Sequence, residues 1–256
     1  MKSAKGTPLD ESRVLPYGLQ YDRNWALFDA DLKVITAREY PQLLKISARV
    51  EGTNLRLFND KKQVLSVALS AGKKLHPLEI FGENANGYDT ADPAHYFFSS
   101  FLGKKCFFVY MGNDPARKVL PKYGGKPQDV VGYADECPVL LISNATLTDL
   151  NERLESPVTM QRFRPNLTVE GCLAYEEDTW KKIRIGNCEF DVSQQCKRCV
   201  FITIDPLTGK RSPLQEPLRT LATYRKHPRG GVAFGVHLIP RKTGKICTGD
   251  KIEVVA

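Results

Sequence analysis

The sequence predicts a mainly β protein with a few helices. Three observations point there. Short runs rich in β-branched and aromatic residues recur along the chain, turn residues separate them at the spacing of meanders and barrels, and few segments repeat apolar residues at helical spacing. In the first half, strands are expected at 25–28, 34–36, 43–50, 55–58 and 64–68, with turns at Asp29-Ala30-Asp31, Glu51-Gly52-Thr53-Asn54 and Asn59-Asp60. Helices are expected over 95–102 and 144–154. In the second, Leu147, Leu150 and Leu154 share one face and Asn144 or Thr146 caps the start. Strands return at 182–185, 189–192, 200–204 and 251–255. The stretch Tyr123-Gly124-Gly125-Lys126-Pro127 reads as a loop, which places a subdomain boundary near residue 120.

At 256 residues the chain can bury a core without disulfides, and 42% hydrophobic with 26% charged residues is ordinary for a globular protein. The apolar runs at 107–110 and 139–142 fall far short of the roughly 18 residues of a membrane span. No apolar signal core follows Met1, so the expected location is cytoplasmic. Seven cysteines (106, 137, 172, 188, 196, 199 and 247), an odd number, suit reduced thiols. Lys and Arg total 37 against 29 Asp and Glu, and the resulting +8 favours an anionic partner. Because these cations are interspersed with acids along the whole chain, a nucleic-acid surface is not expected. Neither a P-loop, a dinucleotide fingerprint nor a Gly-x-Ser-x-Gly elbow occurs.

Chemistry concentrates in two segments. In Cys196-Lys197-Arg198-Cys199, flanking cations favour a thiolate, which is both a nucleophile and a soft-metal ligand. Structural zinc lacks a second Cys-x-x-Cys, and His76, His95, His227 and His237 supply no closely spaced pair. A thioredoxin-type pair would precede a helix, whereas the β-branched run 200–204 follows here. The plainer alternative is two small buried side chains at a strand start. In Arg162-Phe163-Arg164-Pro165-Asn166, Pro165 is expected to hold Arg164 extended, so that a guanidinium and an amide project from a rigid turn toward an oxyanion or a heterocycle edge; a solvated turn is the plainer alternative. Asn144-Ala145-Thr146 and Asn166-Leu167-Thr168 match the glycosylation pattern by accident if the chain is not secreted.

Taken in order, Lys2-Ser3-Ala4-Lys5-Gly6, Gly18 to Trp25, Thr36-Ala37-Arg38-Glu39, Arg162 to Asn166, Cys196 to Cys199 with Asp205-Pro206, Phe234-Gly235, Leu238-Ile239 and Gly249-Asp250 span essentially the whole chain. This series resembles the MOSC family with its N-terminal β-barrel, in the branch of YcbX-type proteins and amidoxime-reducing components. The resemblance implies a pyruvate kinase β-barrel-like MOSC domain at 121–256 packed with an N-terminal β-barrel subdomain at 1–120. It also implies a molybdenum–molybdopterin cofactor and reduction of small N-hydroxylated compounds. Electrons would come from a separate ferredoxin-, flavoprotein- or haem-type protein, since the chain ends at Ala256 without a ferredoxin domain.

By the same resemblance Cys199 is the thiolate ligand to molybdenum and Cys196 a neighbour. Lys2, Ser3, Arg23, Arg164, Asn166 and Arg198 anchor the pterin and its phosphate, Lys197 and His237 line the pocket, and Cys137 borders it. Cys199 and His237 are the expected catalytic residues, His237 as a proton source, with Asp205 more simply a turn residue. A pyridoxal phosphate association attaches only to the family as a whole. The Lys-Ser motif begins directly after Met1, without the strand that usually precedes it, so a barrel that has lost its cofactor is one alternative. The other is a sulfur-carrier or cofactor-binding module in which Cys199 holds a persulfide or the metal without turnover.

Overall fold

A computed structural model describes residues 1–60, 62–69, 72, 74–90, 92–113 and 117–256. In chain order the strands are β1 (Glu11–Leu15), β2 (Gly18–Leu19), β3 (Trp25–Phe28), β4 (Val34–Ile35), β5 (Ile46–Glu51), β6 (Asn54–Asn59), β7 (Lys62–Ala68), β8 (Leu75–Ile80) and β9 (Glu83–Asp89). Helix α1 (Asp92–Leu102), β10 (Phe107–Tyr110), β11 (Val139–Ser143), α2 (Asn144–Glu152), β12 (Leu167–Val169) and β13 (Lys182–Ile185) follow. The chain closes with β14 (Cys188–Arg198), α3 (Leu218–Tyr224), β15 (Val232–Lys242), β16 (Gly244–Cys247) and β17 (Ile252–Val254). The protein is therefore mostly β, as its turn-punctuated sequence predicts. No described helix is long and apolar enough to cross a membrane.

The chain divides into two units, each discontinuous in sequence. Unit one comprises residues 1–8, 21–118 and 130–135. It holds a five-stranded sheet in the order β4-β3-β10-β9-β8 and the meander β5-β6-β7. Its core is aromatic: Trp25 stacks on Tyr110 with ring centres 4.8 Å apart, Phe28 meets the edge of Tyr133 at 5.6 Å, and Phe98 of α1 packs on Phe108 at 5.0 Å. The expected strand 43–50 starts late, because Pro41 to Lys45 form a 3₁₀ turn and pairing begins only at Ile46. Pro41, with its fixed φ and no N–H, suits the first turn of a helix better than a ladder.

Unit two comprises residues 9–20, 119–129 and 136–256. Its six-stranded sheet runs β12-β11-β15-β14-β13-β17, with only β11 and β12 parallel, and β16-β1-β2 form a second sheet. Strand β11 is apolar from Val139 to Ile142 because both its faces are covered. Val139 and Leu141 enter one core with Val236, Leu238, Phe190 and Trp180, while Leu140 and Ile142 enter another with Phe163, Cys196 and Phe234. The cap of α2 is Ser143, whose hydroxyl accepts the Thr146 N–H at 3.0 Å, rather than Asn144 or Thr146.

The long β14–β15 ladder is interrupted on both sides of His237. Register shifts fall between Val192 and Gln194, which adds Ser193 to β14, and between Gln195 and Lys197, where Phe234 and Gly235 of β15 face the single residue Cys196. Such bulges bend a strand and re-aim its side chains. Gly235 makes the second one possible: its φ is +79°, and a Cβ there would meet Ile142 Cγ1 at 2.5 Å and the Leu141 carbonyl oxygen at 2.7 Å. Gly235→Ala is expected to cost about 3 kcal/mol or more in denaturant unfolding, from overpacking and an unfavourable φ together. A loss below about 1 kcal/mol would mean that the bulge does not need glycine.

Candidate functional site

In unit two the Cys-x-x-Cys segment lies at the end of β14, and its two thiols differ sharply. Cys196 is buried in the core, whereas Cys199 is exposed. The alternative of two buried side chains at a strand start is thereby overturned. So is the expected strand 200–204: Val200 to Thr203 form a 3₁₀ turn with Cys199 at its N-cap. Arg198 pairs with Val232, the first residue of β15, so beyond it β14 has no neighbour and β propensity has nothing to pair with. The turn instead closes on itself through Ile202 N–H to the Cys199 carbonyl at 3.3 Å and the Thr203 hydroxyl to the Val200 carbonyl at 2.7 Å.

Arg198 ties this strand end to the Arg-Pro-Asn turn. One Nη donates to Cys196 Sγ at 3.1 Å and the other to the Phe163 carbonyl at 2.7 Å. Phe163 itself stacks on Phe234 of the β15 bulge, with ring centres 4.3 Å apart. Arg198 Nε is buried without a hydrogen-bond partner. The next residue, Arg164, is left-handed at φ +57° rather than extended, and its guanidinium lies 5.8 Å from the centre of the Phe201 ring. A following proline excludes the right-handed helical region but leaves the left-handed one open. Asn166 is fixed to β11, its N–H donating to the Leu140 carbonyl at 2.8 Å and its Oδ1 accepting from Leu140 N–H at 3.0 Å.

His237 lies opposite Leu140 and is 6% exposed. Its Nε2 is 3.2 Å from a Glu136 carboxylate oxygen, and its Nδ1 is buried without a hydrogen-bond partner. Burial disfavours the imidazolium, yet the Cys196 and Cys137 thiols and Glu136 outweigh it and raise the His237 pKa well above the ordinary value. For Cys196 burial pushes the thiol up, but His237 and Arg198 prevail and bring it down to about 7. Cys137 is buried, with its Sγ 3.7 Å from Ser193 Oγ, and burial raises its pKa. Lys197 donates to the Arg229 carbonyl at 2.9 Å. Asp205 is a turn residue, its Oδ1 accepting from Leu207 N–H at 3.0 Å and Thr208 N–H at 2.8 Å.

Unit one gathers a cationic group of its own. Lys2, 4% exposed, donates to the Tyr133 carbonyl at 2.8 Å and pairs with Asp135. Arg38 holds the other Asp135 oxygen at 2.6 Å, and Arg23 pairs with Asp22. Arg117, which carried no sequence signal, is buried and grips the loop that presents Asp135, donating to the carbonyls of Gly132 (2.8 Å), Ala134 (2.7 Å) and Asp135 (2.9 Å) and to Glu83 (2.9 Å). Ser3 and Arg23 have φ of +64° and +54°, so three of the nine described non-glycine residues with positive φ are expected cofactor residues, Arg164 being the third. Backbone conformations of this kind collect at functional sites.

With this geometry described, comparison with known proteins is decisive. The MOSC N-terminal beta barrel domain matches residues 1–105 and the MOSC domain matches residues 128–253. Mitochondrial amidoxime reducing component 2 from Homo sapiens is 35% identical over 98% of this chain and 80% of its own length, and the Bos taurus protein of that name gives the same figures. Human mitochondrial amidoxime-reducing component 1 is 31% identical over 100% of this chain and 80% of its own.

The chain belongs to the MOSC family. Burial lowers the Lys2 pKa of this MOSC protein from 10.5 to about 8, against the opposing pull of Asp135 and with help from Arg23 and Arg117. Burial pushes the Asp135 carboxyl up, but Lys2 and Arg38 outweigh that and hold it far below the usual range. Between about pH 8 and 10.5 the unfolded chain keeps the Lys2 proton that the folded one has released, so stability contributed by this residue rises with pH across that window. In pH-dependent denaturant unfolding, Lys2→Met is expected to remove that rise. An unchanged profile would show that Lys2 is not a destabilised buried cation.

Proposed function

We propose that this MOSC protein binds a molybdenum–pterin cofactor and reduces small N-hydroxylated compounds with electrons from a separate protein. The observation that supports this best is the pairing of an exposed Cys199 thiol with the adjacent, half-buried Arg198, whose buried Nε lacks a partner, in a chain 31–35% identical to proteins named amidoxime reducing components. The donor set suits the group: a soft thiol for molybdenum, an unsatisfied buried guanidinium N–H for an oxyanion, and an amide for a heterocycle edge. When bound, the group supplies the two-electron chemistry that cleaves the N–O bond.

The chain's own residues bind and orient. Cys199 is the protein ligand. Arg198 and Arg164 hold the anionic end, and Asn166, locked to β11, presents its amide from a rigid position. Lys197 lines the pocket, Cys137 borders it, and His237 is a proton-holding group near Cys196. In unit one Lys2, Ser3 and Arg23, with Arg38 and Arg117, form a locus whose four cations outnumber the carboxylates of Asp22, Glu83 and Asp135, an excess that an anionic group such as phosphate would neutralise.

Cys199→Ser is expected to lose molybdenum during purification from a cofactor-producing host while Cys196→Ser retains it, read by metal analysis of both. The opposite pattern would move the ligand to Cys196. Arg164→Ala should weaken cofactor retention by about ten- to a hundredfold, through loss of one charge-assisted contact. If molybdenum were held without turnover of an amidoxime, Cys199 would instead belong to a carrier module.

A further inference from the structure

The cofactor reading makes no use of Cys196, although this thiol is the most elaborately served in the protein. The bulge at Phe234-Gly235 brings β15 past it, Arg198 Nη1 donates to its sulfur at 3.1 Å, and His237, whose charge acts on this thiol, keeps its Nδ1 buried and without a hydrogen-bond partner. The other ring nitrogen of His237 is oriented by Glu136 at 3.2 Å. A nucleophile, a base and a third group that orients the base form the arrangement by which proteins activate weak nucleophiles. We propose that Cys196, His237 and Glu136 form a nucleophilic thiol triad that hydrogen peroxide oxidises to a sulfenic acid.

The charges around the sulfur favour this chemistry. His237 and Arg198 face Cys196 as cations, Glu136 is the one carboxylate, and together they bring the thiol down to about 7. Cys137, the other thiol facing His237, is pushed up by burial, as is Cys106 in unit one. In the step itself the Cys196 thiolate attacks one peroxide oxygen, the O–O bond breaks, and the departing hydroxide takes the His237 proton to leave as water. Sulfur loses two electrons and the peroxide gains them. Only 6% of Cys196 is exposed, which excludes bulky disulfides and restricts the reaction to a small oxidant such as peroxide. Oxidation also removes the anion that Arg198 grips and so loosens its bridge to the Phe163 carbonyl.

The test needs no bound cofactor, so its outcome is separable from that of the reductase reading, which molybdenum content and amidoxime turnover decide. The full chain is exposed to hydrogen peroxide at neutral pH, quenched with catalase and unfolded in the presence of dimedone, and the label at each cysteine is read by mass spectrometry. Cys196 is expected to carry about tenfold or more label than Cys106 or Cys137. His237→Gln should lower the Cys196 label by about tenfold while Cys188, buried in the core of the same unit, stays unlabelled, which shows that this core is intact. If His237→Gln exposes Cys188, Glu136→Gln decides by the same criterion. Label at Cys196 no higher than at Cys137 in the unaltered chain, or unmoved by substitution in a folded variant, overturns the triad.

Discussion

The antiparallel pairing of β14 with β15 is the constraint from which the candidate site follows. A regular ladder would alternate every side chain between the two cores of unit two. Two bulges break that regularity around His237, one adding Ser193 and the other opposing Phe234 and Gly235 to Cys196. Between them His237 meets Glu136, Cys196 enters the core beneath Arg198, and Phe234 supports Phe163. Where β15 begins, β14 runs out of partner, and Cys199 is released into solvent at the head of a 3₁₀ turn. One pairing pattern thus buries one cysteine beneath an arginine and leaves its neighbour three residues on as an exposed thiol.

Electrostatics repeats this division of labour in each unit. Arg198 uses two of its nitrogens to fasten the strand end to the Phe163-Arg164 turn and keeps its Nε unsatisfied. Arg117 of unit one is spent on three carbonyls of a single loop, so that Asp135 stands where Lys2 and Arg38 share it. Burying cations around too few anions is unfavourable on its own, and the depressed Lys2 pKa is the sign of it. Positive φ at Ser3 and Arg23 adds backbone strain beside Lys2 in unit one, and Arg164 carries the same strain in unit two.

Much of this was legible in the sequence and some of it could not be. Strands such as β6 and β13 are flanked by strong turn residues and covered on alternate positions, so their pattern is plain. Strand β15 is not, because nine consecutive residues from Val232 to Pro240 are buried, and Gly235 and Pro240 interrupt what would otherwise read as a strand. The run Val200 to Ile204 misleads in the opposite sense, having strand composition without a strand beside it. The ordered motifs carry the family. The distinction between Cys196 and Cys199 is invisible to spacing, since it arises from a bulge and from a histidine 41 positions downstream of Cys196. Arg117 leaves no local signature because all of its hydrogen-bond partners are remote in sequence.

On the proposed function, the residues around Cys199 serve a working molybdenum reductase. Its most direct test is a single turnover with the molybdenum-loaded protein: after reduction by methyl viologen radical and removal of excess reductant, an aromatic amidoxime is added and the amidine formed is counted against bound metal. About one amidine per molybdenum is expected, matching the two electrons that N–O cleavage consumes. Stoichiometric molybdenum with no amidine would contradict it and leave a protein that holds the cofactor without using it.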